Sequence, residues 1–215
     1  MSDAAGLMDK IYRHQRHIYD ASRKFYLLGR DTLIEALDPP TGGQVLEVGC
    51  GTGRNLIKIA RTYSEVRCYG FDISSEMLTT ARRSIMRAGL SARITLAQAD
   101  ATAFDARTMF GIGQFDRIVI SYALSMMPGW EKVLVCAMKH LKPEGSIHIV
   151  DFGNQAGLPS PFRVALNRWL ALFHVTPRLS LQRDLEVLTR SRQMRVRSES
   201  LYRGYTVRSV IDRAA

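Results

Sequence analysis

The chain has too few cysteines, and in the wrong places, for a scaffold built on them. Cys50, Cys68 and Cys136 are odd in number, far apart, and free of any CxxC or Cys/His cluster. This argues against a disulfide framework and a zinc site and favours a reducing compartment. No apolar run approaches the roughly 18–20 residues that span a bilayer, and the first residues lack the apolar core of a signal peptide. A cytoplasmic protein is expected. Internal repeats and low-complexity tracts are also missing.

What is present is a 215-residue chain, 46% hydrophobic and 23% charged, of a size and composition that fit one folded core. Its net charge of +10 is unevenly placed. Residues 10–30 hold Lys10, Arg13, Arg16, Arg23, Lys24 and Arg30 against Asp20, and residues 176–215 hold nine arginines against four acids. The remaining residues balance. Two basic flanks suit an anionic partner: nucleic acid, a phosphorylated substrate or an anionic membrane surface.

Leu7 to Leu37 is expected to form one or two helices, because Ile11, Ile18, Phe25 and Leu28 fall near a helical repeat and no proline interrupts them. Tyr12, Tyr19 and Tyr26, seven residues apart, would share a face. Pro39-Pro40 followed by Gly42-Gly43 ends any helix. From Gln44 onward short β-branched runs alternate with helical stretches, the pattern of a parallel sheet with crossover helices. Strands are expected at Gln44–Val48, Val66–Asp72, Ile94–Gln98, Phe115–Ser121 and Ser146–Phe152. Helices are expected at Asn55–Tyr63, Ser75–Ala88, Thr102–Met109 and Trp130–His140, with a turn at Lys142-Pro143-Glu144-Gly145. Beyond Asp151 the pattern predicts helices at Phe162–Val175 and Leu181–Ser191 and an antiparallel hairpin turning near Arg203-Gly204.

The most informative run is Val45-Leu46-Glu47-Val48-Gly49-Cys50-Gly51-Thr52-Gly53-Arg54-Asn55, in which an apolar strand opens into a glycine-rich turn before a helix. Such glycines let backbone approach a ligand closely. The spacing is not that of the dinucleotide fingerprint, and the Gly-Lys-Ser/Thr ending of a phosphate loop is absent. Glu47, inside the strand, needs a partner if it is buried. Asp72 ends the second strand about 20 residues after the turn, Asp100 follows the third, and Ser121-Tyr122 ends the fourth. Asp72, Asp100 and Asp116 each also have a structural reading, as caps or at a strand start.

Together these positions resemble the class I S-adenosylmethionine-dependent methyltransferases over residues 44–152. The resemblance implies a doubly wound, mostly parallel, seven-stranded α/β sheet of Rossmann-like type, with an N-terminal helical cap (residues 1–38) over the cofactor site and a domain (39–215) ending in an antiparallel hairpin. It implies S-adenosylmethionine as cofactor, with S-adenosylhomocysteine as product. Glu47, Gly49, Gly51, Gly53 and Asn55 would lie at the amino acid part of the cofactor, Asp72, Ile73 and Met77 near the ribose, Asp100 and Ala101 at the adenine, and Ser121 beneath the methyl group. No metal is implied.

The segment from Tyr12 to Asp31 resembles that of bacterial diacylglyceryl-homoserine N-methyltransferases (BtaB), relatives of the soluble type of phosphatidylethanolamine N-methyltransferase. This implies a lipid substrate with a free amino group, methylated to a trimethylated betaine lipid by an enzyme peripherally attached to the inner face of the membrane. Aromatic faces can hold the ammonium that forms, and Tyr19, Tyr26 and Tyr122 are the candidates, the first and last as catalytic residues. Tyr26 and Arg30 are also placed to contact the cofactor carboxylate. His14, His17 and His140 read as surface or packing residues. Against these readings stand a simple packing role for the tyrosines, phosphatidylethanolamine or a quinone or other small molecule as the methyl acceptor, and an RNA methyltransferase or cofactor-binding regulator. Nucleic acid is disfavoured because the fourth strand ends in Ser121-Tyr122-Ala123-Leu124 rather than in an Asn/Asp-Pro-Pro-Tyr-like motif. A homo-oligomer is left open.

Overall fold

The computed structural model of the chain describes residues 27–172 and 175–213. Tyr19, Tyr26, His14, His17 and the basic residues up to Lys24 lie outside the described residues. The short β-branched runs form five parallel strands, β1 (Gln44–Val48), β2 (Arg67–Asp72), β3 (Ile94–Gln98), β4 (Phe115–Ser121) and β5 (Leu141–Phe152). An antiparallel hairpin, β6 (Met194–Leu201) and β7 (Thr206–Arg213), completes a seven-stranded sheet in the order β3-β2-β1-β4-β5-β7-β6. The hairpin turns through Tyr202, Arg203 and Gly204, all at positive φ, close to where it is expected.

Helices cover both faces. Strand residues alternate between two apolar layers because successive side chains point to opposite sides of the sheet. Val45, Val119 and Val150 join Leu33 and Ile34 of α1 (Arg30–Glu35), Leu56 and Ile59 of α2 (Arg54–Thr62) and Leu78 and Ala81 of α3 (Ser75–Arg87). Leu46, Ile118 and Ile149 join Ala106 of α4 (Ala106–Phe110), Val133 and Leu134 of α5 (Trp130–Lys139) and Leu185 of the last helix. Two helices follow β5: α6 (Ser160–Ala171), whose Leu166 and Leu170 reach the first layer, and α7 (Leu181–Arg190), which belongs to the second. From β1 the chain steps outward to β2 and β3, then crosses back to place β4 on β1's other side. That reversal opens a crevice at the carboxyl ends of the strands, where ligands bind in open α/β sheets.

Within the described part of Leu7–Leu37 a helix starts at Arg30, after Gly29 at a left-handed φ of 79°. Two expectations are corrected. Lys142-Pro143-Glu144-Gly145 is not a turn ahead of the strand but an irregularity inside it: Leu141 pairs with Phe115 and Ser146 with Arg117, so these four residues stand opposite Asp116 alone. Lys142 closes that bulge with an ion pair to Asp116 at 2.8 Å. The short helix expected from Thr102 begins instead at Ala106, because the Asp105 carboxylate accepts the Thr108 N–H at 2.8 Å and caps it there.

Candidate active site at the carboxyl edge of the sheet

The glycine turn follows β1 at the centre of this edge. Gly49, Gly51 and Gly53 all adopt positive φ, at 69°, 51° and 76°, and Gly53 starts α2. The three glycines serve different needs. A Cβ on Gly53 would press on Ala81 of α3 at 3.2 Å, so this glycine lets two helices approach each other. A Cβ on Gly49 would meet Met127 and Ala123 in the segment after β4. Gly51 is held by its N–H, which donates to Asp72 Oδ2 at 2.8 Å, tying the turn to the end of the neighbouring strand.

The helix cap foreseen for Asp72 falls to Ser74 instead, while Asp72 links the turn to the segment before α3. Its other oxygen accepts the Ser74 N–H at 3.0 Å, and Ser74 Oγ in turn accepts the Met77 N–H and caps α3. Each carboxylate oxygen has a second acceptor site, so the group can take hydroxyl donors as well. Asp100 Oδ1 is occupied by the N–H and hydroxyl of Thr102, both at 2.8 Å, which is its structural reading, while Oδ2 stays able to accept from a ligand. Ile73 gives its carbonyl to Gln98 Nε2, and Ala101 and Met77 are buried beside this edge.

Glu47 is 2% exposed. The partner it requires is Asn55, whose Nδ2 donates to Oε1 at 2.7 Å, but Oε2 has none among the described residues. Burial pushes the Glu47 carboxyl up to about 8, opposed by the Asn55 hydrogen bond and by the nearby Arg30 guanidinium. Ser121 Oγ, at the end of β4, is likewise buried without a partner. A buried acceptor left unsatisfied costs about 1–3 kcal/mol, a cost that a ligand donor would offset. These orphaned groups, together with the open glycine turn and the acid at the end of β2, fit the ammonium, the ribose hydroxyls and the sulfonium side of S-adenosylmethionine. Glu47 and Arg30 would hold its amino acid part and Asp72 its ribose.

Tyr122 departs from its expected role. It is 3% exposed, sits at a φ of 52°, and shares its hydroxyl between the Leu28 carbonyl at 2.6 Å and Thr206 Oγ1 at 2.8 Å. Its ring meets Phe152 edge-on, and burial pushes its phenol well above the ordinary range. It ties the entering chain at Leu28 to the rim of β4 and β7 rather than offering a free aromatic face. Tyr122→Phe is expected to lower stability by about 1–2 kcal/mol. An unchanged urea midpoint would show that the tie contributes nothing. Asp116 accepts the Gln44 N–H at the opposite end of the strands, confirming its structural reading. His140 stacks on Phe104 and bonds the Gly113 carbonyl. The sequence held no signal for Arg178, whose guanidinium bridges the Leu124 and Met127 carbonyls from fifty residues away.

Comparison with known proteins agrees with this geometry. Residues 45–145 match a family model described as a methyltransferase domain. The chain is 35% identical over 130 residues to a phosphatidylethanolamine N-methyltransferase of Cereibacter sphaeroides, covering 60% of each protein. It is 27% identical over 157 residues to the ubiquinone/menaquinone biosynthesis C-methyltransferase UbiE of Allorhizobium ampelinum, covering 68% of this chain and 58% of the relative. The chain spans between 42% and 60% of the length of the first curated relatives it matches. Among solved structures, the apo form of the S-adenosylmethionine-dependent methyltransferase SibL superimposes with a TM-score of 0.72 at 20% identity, over 92% of this chain and 58% of that one. Motif, strand order and relatives point the same way: residues 45–145 are similar to methyltransferase domains, the fold is that of S-adenosylmethionine-dependent methyltransferases, and S-adenosylmethionine is the cofactor they support.

Proposed function

We propose that the chain is an N-methyltransferase acting on the amino group of a membrane lipid, diacylglyceryl-homoserine first of all, and that it works at an anionic membrane surface. The observation that carries this reading is the outer face of α6 and the segment after it. Phe162, Val164, Leu172 and Leu179 are at least half exposed there, Arg163 and Arg168 lie on the same helix, and α6 contains no acid. Apolar insertion combined with attraction to anionic lipid is how an interfacial helix holds a membrane. The basic flanks and the likeness to a phosphatidylethanolamine N-methyltransferase support the same reading.

When bound, S-adenosylmethionine would supply a methyl group on a sulfonium, and a neutral amine attacking that carbon in line would form the N–C bond as the S–C bond breaks, with S-adenosylhomocysteine leaving as a neutral thioether. The protein's part is to position the amine and keep water away, so a strong general base is not obligatory. Asp72 and Gly51 fix the turn, Glu47 and Arg30 orient the donor's amino acid part, and Tyr122 anchors the chain where the N-terminal cap (residues 1–38) joins the rim. Tyr19 and Tyr26 of that cap would supply aromatic faces to the ammonium, which gains a fixed charge as methylation proceeds.

Mass spectrometry of total lipids tests the reading, in cells expressing the chain with and without an enzyme that supplies diacylglyceryl-homoserine. A trimethylated homoserine lipid made only when both are present is the expected result. Methylated phosphatidylethanolamine without the second enzyme would transfer the assignment to that lipid, and a methylated quinone would favour the second reading suggested by the likeness to UbiE. No change in either class would refute the lipid substrate.

A further inference from the structure

A cavity of about 280 Å³ opens beside the carboxyl edge, outside the cofactor turn. One wall is Gly153 and Asn154, directly after β5, and the other is the start of α7 with Arg178, Arg183 and Glu186, while Leu181 and Val207 contribute apolar surface. The size lies at the small end of ligand pockets, enough for a polar head group rather than an acyl chain. Its two cations differ. Arg178 Nε and Nη2 are spent on the Leu124 and Met127 carbonyls, which fixes the guanidinium in place and leaves Nη1 to donate. Arg183 is exposed and has no hydrogen-bonded or ion-paired partner among the described residues.

The cavity is also close to the cofactor turn. Arg178 holds the Met127 carbonyl, and the Met127 side chain ends 2.9 Å from where a Cβ on Gly49 would stand. One methionine thus separates the cavity's arginine from the glycine turn.

We propose that this cavity binds the anionic group that accompanies the amine in the methyl acceptor, with Arg183 as the main cation and Arg178 as the second. The proposal rests on the amino-lipid reading above, because the head groups at issue are zwitterions. Homoserine carries a carboxylate on the carbon that bears its amine, and ethanolamine carries a phosphate two carbons away. Both anions suit the planar, forked donor set of arginine. Glu186 on the same wall keeps the cavity from collecting anions indiscriminately, so a zwitterion is favoured over inorganic phosphate.

The test is calorimetric titration of the full chain, loaded with S-adenosylhomocysteine, with glycerophosphoethanolamine and separately with homoserine. The arm that binds identifies the anion as phosphate or carboxylate. Arg183→Gln is expected to weaken that binding about tenfold, Arg183→Lys to restore part of it, and the affinity for S-adenosylhomocysteine to stay unchanged in both. Equal binding to the wild type and Arg183→Gln, or no binding of either compound to the wild type, would overturn the proposal. The two readings fail separately. If Arg183→Gln weakens head-group binding but cells make no methylated lipid, the cavity stands and the lipid reading falls. If Arg183→Gln makes methylated lipid as well as the wild type, the reverse holds.

Discussion

Gly51→Val is expected to raise the dissociation constant for S-adenosylhomocysteine by more than a hundredfold in a chain that still folds. Two effects combine at this position. The backbone there has a φ of 51°, a left-handed conformation that costs an ordinary L-residue about 1–2 kcal/mol and a β-branched one more. The residue is also the centre of the turn, with its N–H fixed on Asp72, so a side chain intrudes on the surface that the cofactor must approach. Gly111→Val separates the two effects. Gly111 has a φ of 74° at the end of α4, and a Cβ there meets nothing within 4 Å. That variant should lose stability through strain alone and bind cofactor normally. Circular dichroism and calorimetry on both proteins check this, and normal binding by a folded Gly51→Val would remove the turn from the cofactor site.

The sequence is most readable where local chemistry decides the structure. Strands β1 to β4 lie within a residue of their expected bounds because each is a short run rich in apolar residues between polar or glycine breaks, and the partner that a buried Glu47 needs is found close by in Asn55. The hairpin turn is legible from Arg203-Gly204 for the same reason. The errors occur where residues far apart in sequence decide. Pro143 and Gly145 do bend the chain, but whether that bend lies before β5 or within it depends on pairing to Phe115 and Arg117. Tyr122 sits where an open aromatic face was expected, and its partners Leu28 and Thr206 are 94 and 84 residues away. Arg178 is similar: its value lies in carbonyls of a segment that no periodicity connects to it. The glycine turn and its ties to the neighbouring strand are therefore largely local and readable, whereas the cavity beside them is assembled from the end of β5 and the C-terminal elements.

Glu47 gives the cofactor site a measurable pH signature. Its carboxyl is raised to about 8 in the folded chain from an ordinary value of 4.5, chiefly by burial. Between those values the native state binds a proton that the unfolded state has lost, so stability is fully present below pH 4.5 and declines as pH rises toward 8. Two other buried groups titrate lower. Burial raises Asp151 to about 6 and lowers His148 to about 4, so their effects, opposite in sign, act below roughly the ordinary histidine value of 6.5. The window from pH 6.5 to 8 thus belongs mainly to Glu47. Across it the unliganded chain should lose about 2 kcal/mol of unfolding free energy, and Glu47→Gln should abolish most of that slope. The cofactor's ammonium favours the carboxylate, so binding must expel the proton. Affinity should therefore climb with pH up to about 8, and calorimetry in buffers of different ionisation enthalpy should record release of nearly one proton at pH 7, absent in Glu47→Gln. Parallel stability profiles for the two proteins, together with equal proton release, would show that Glu47 is already ionised in the folded chain and that its unpartnered oxygen does not await the cofactor.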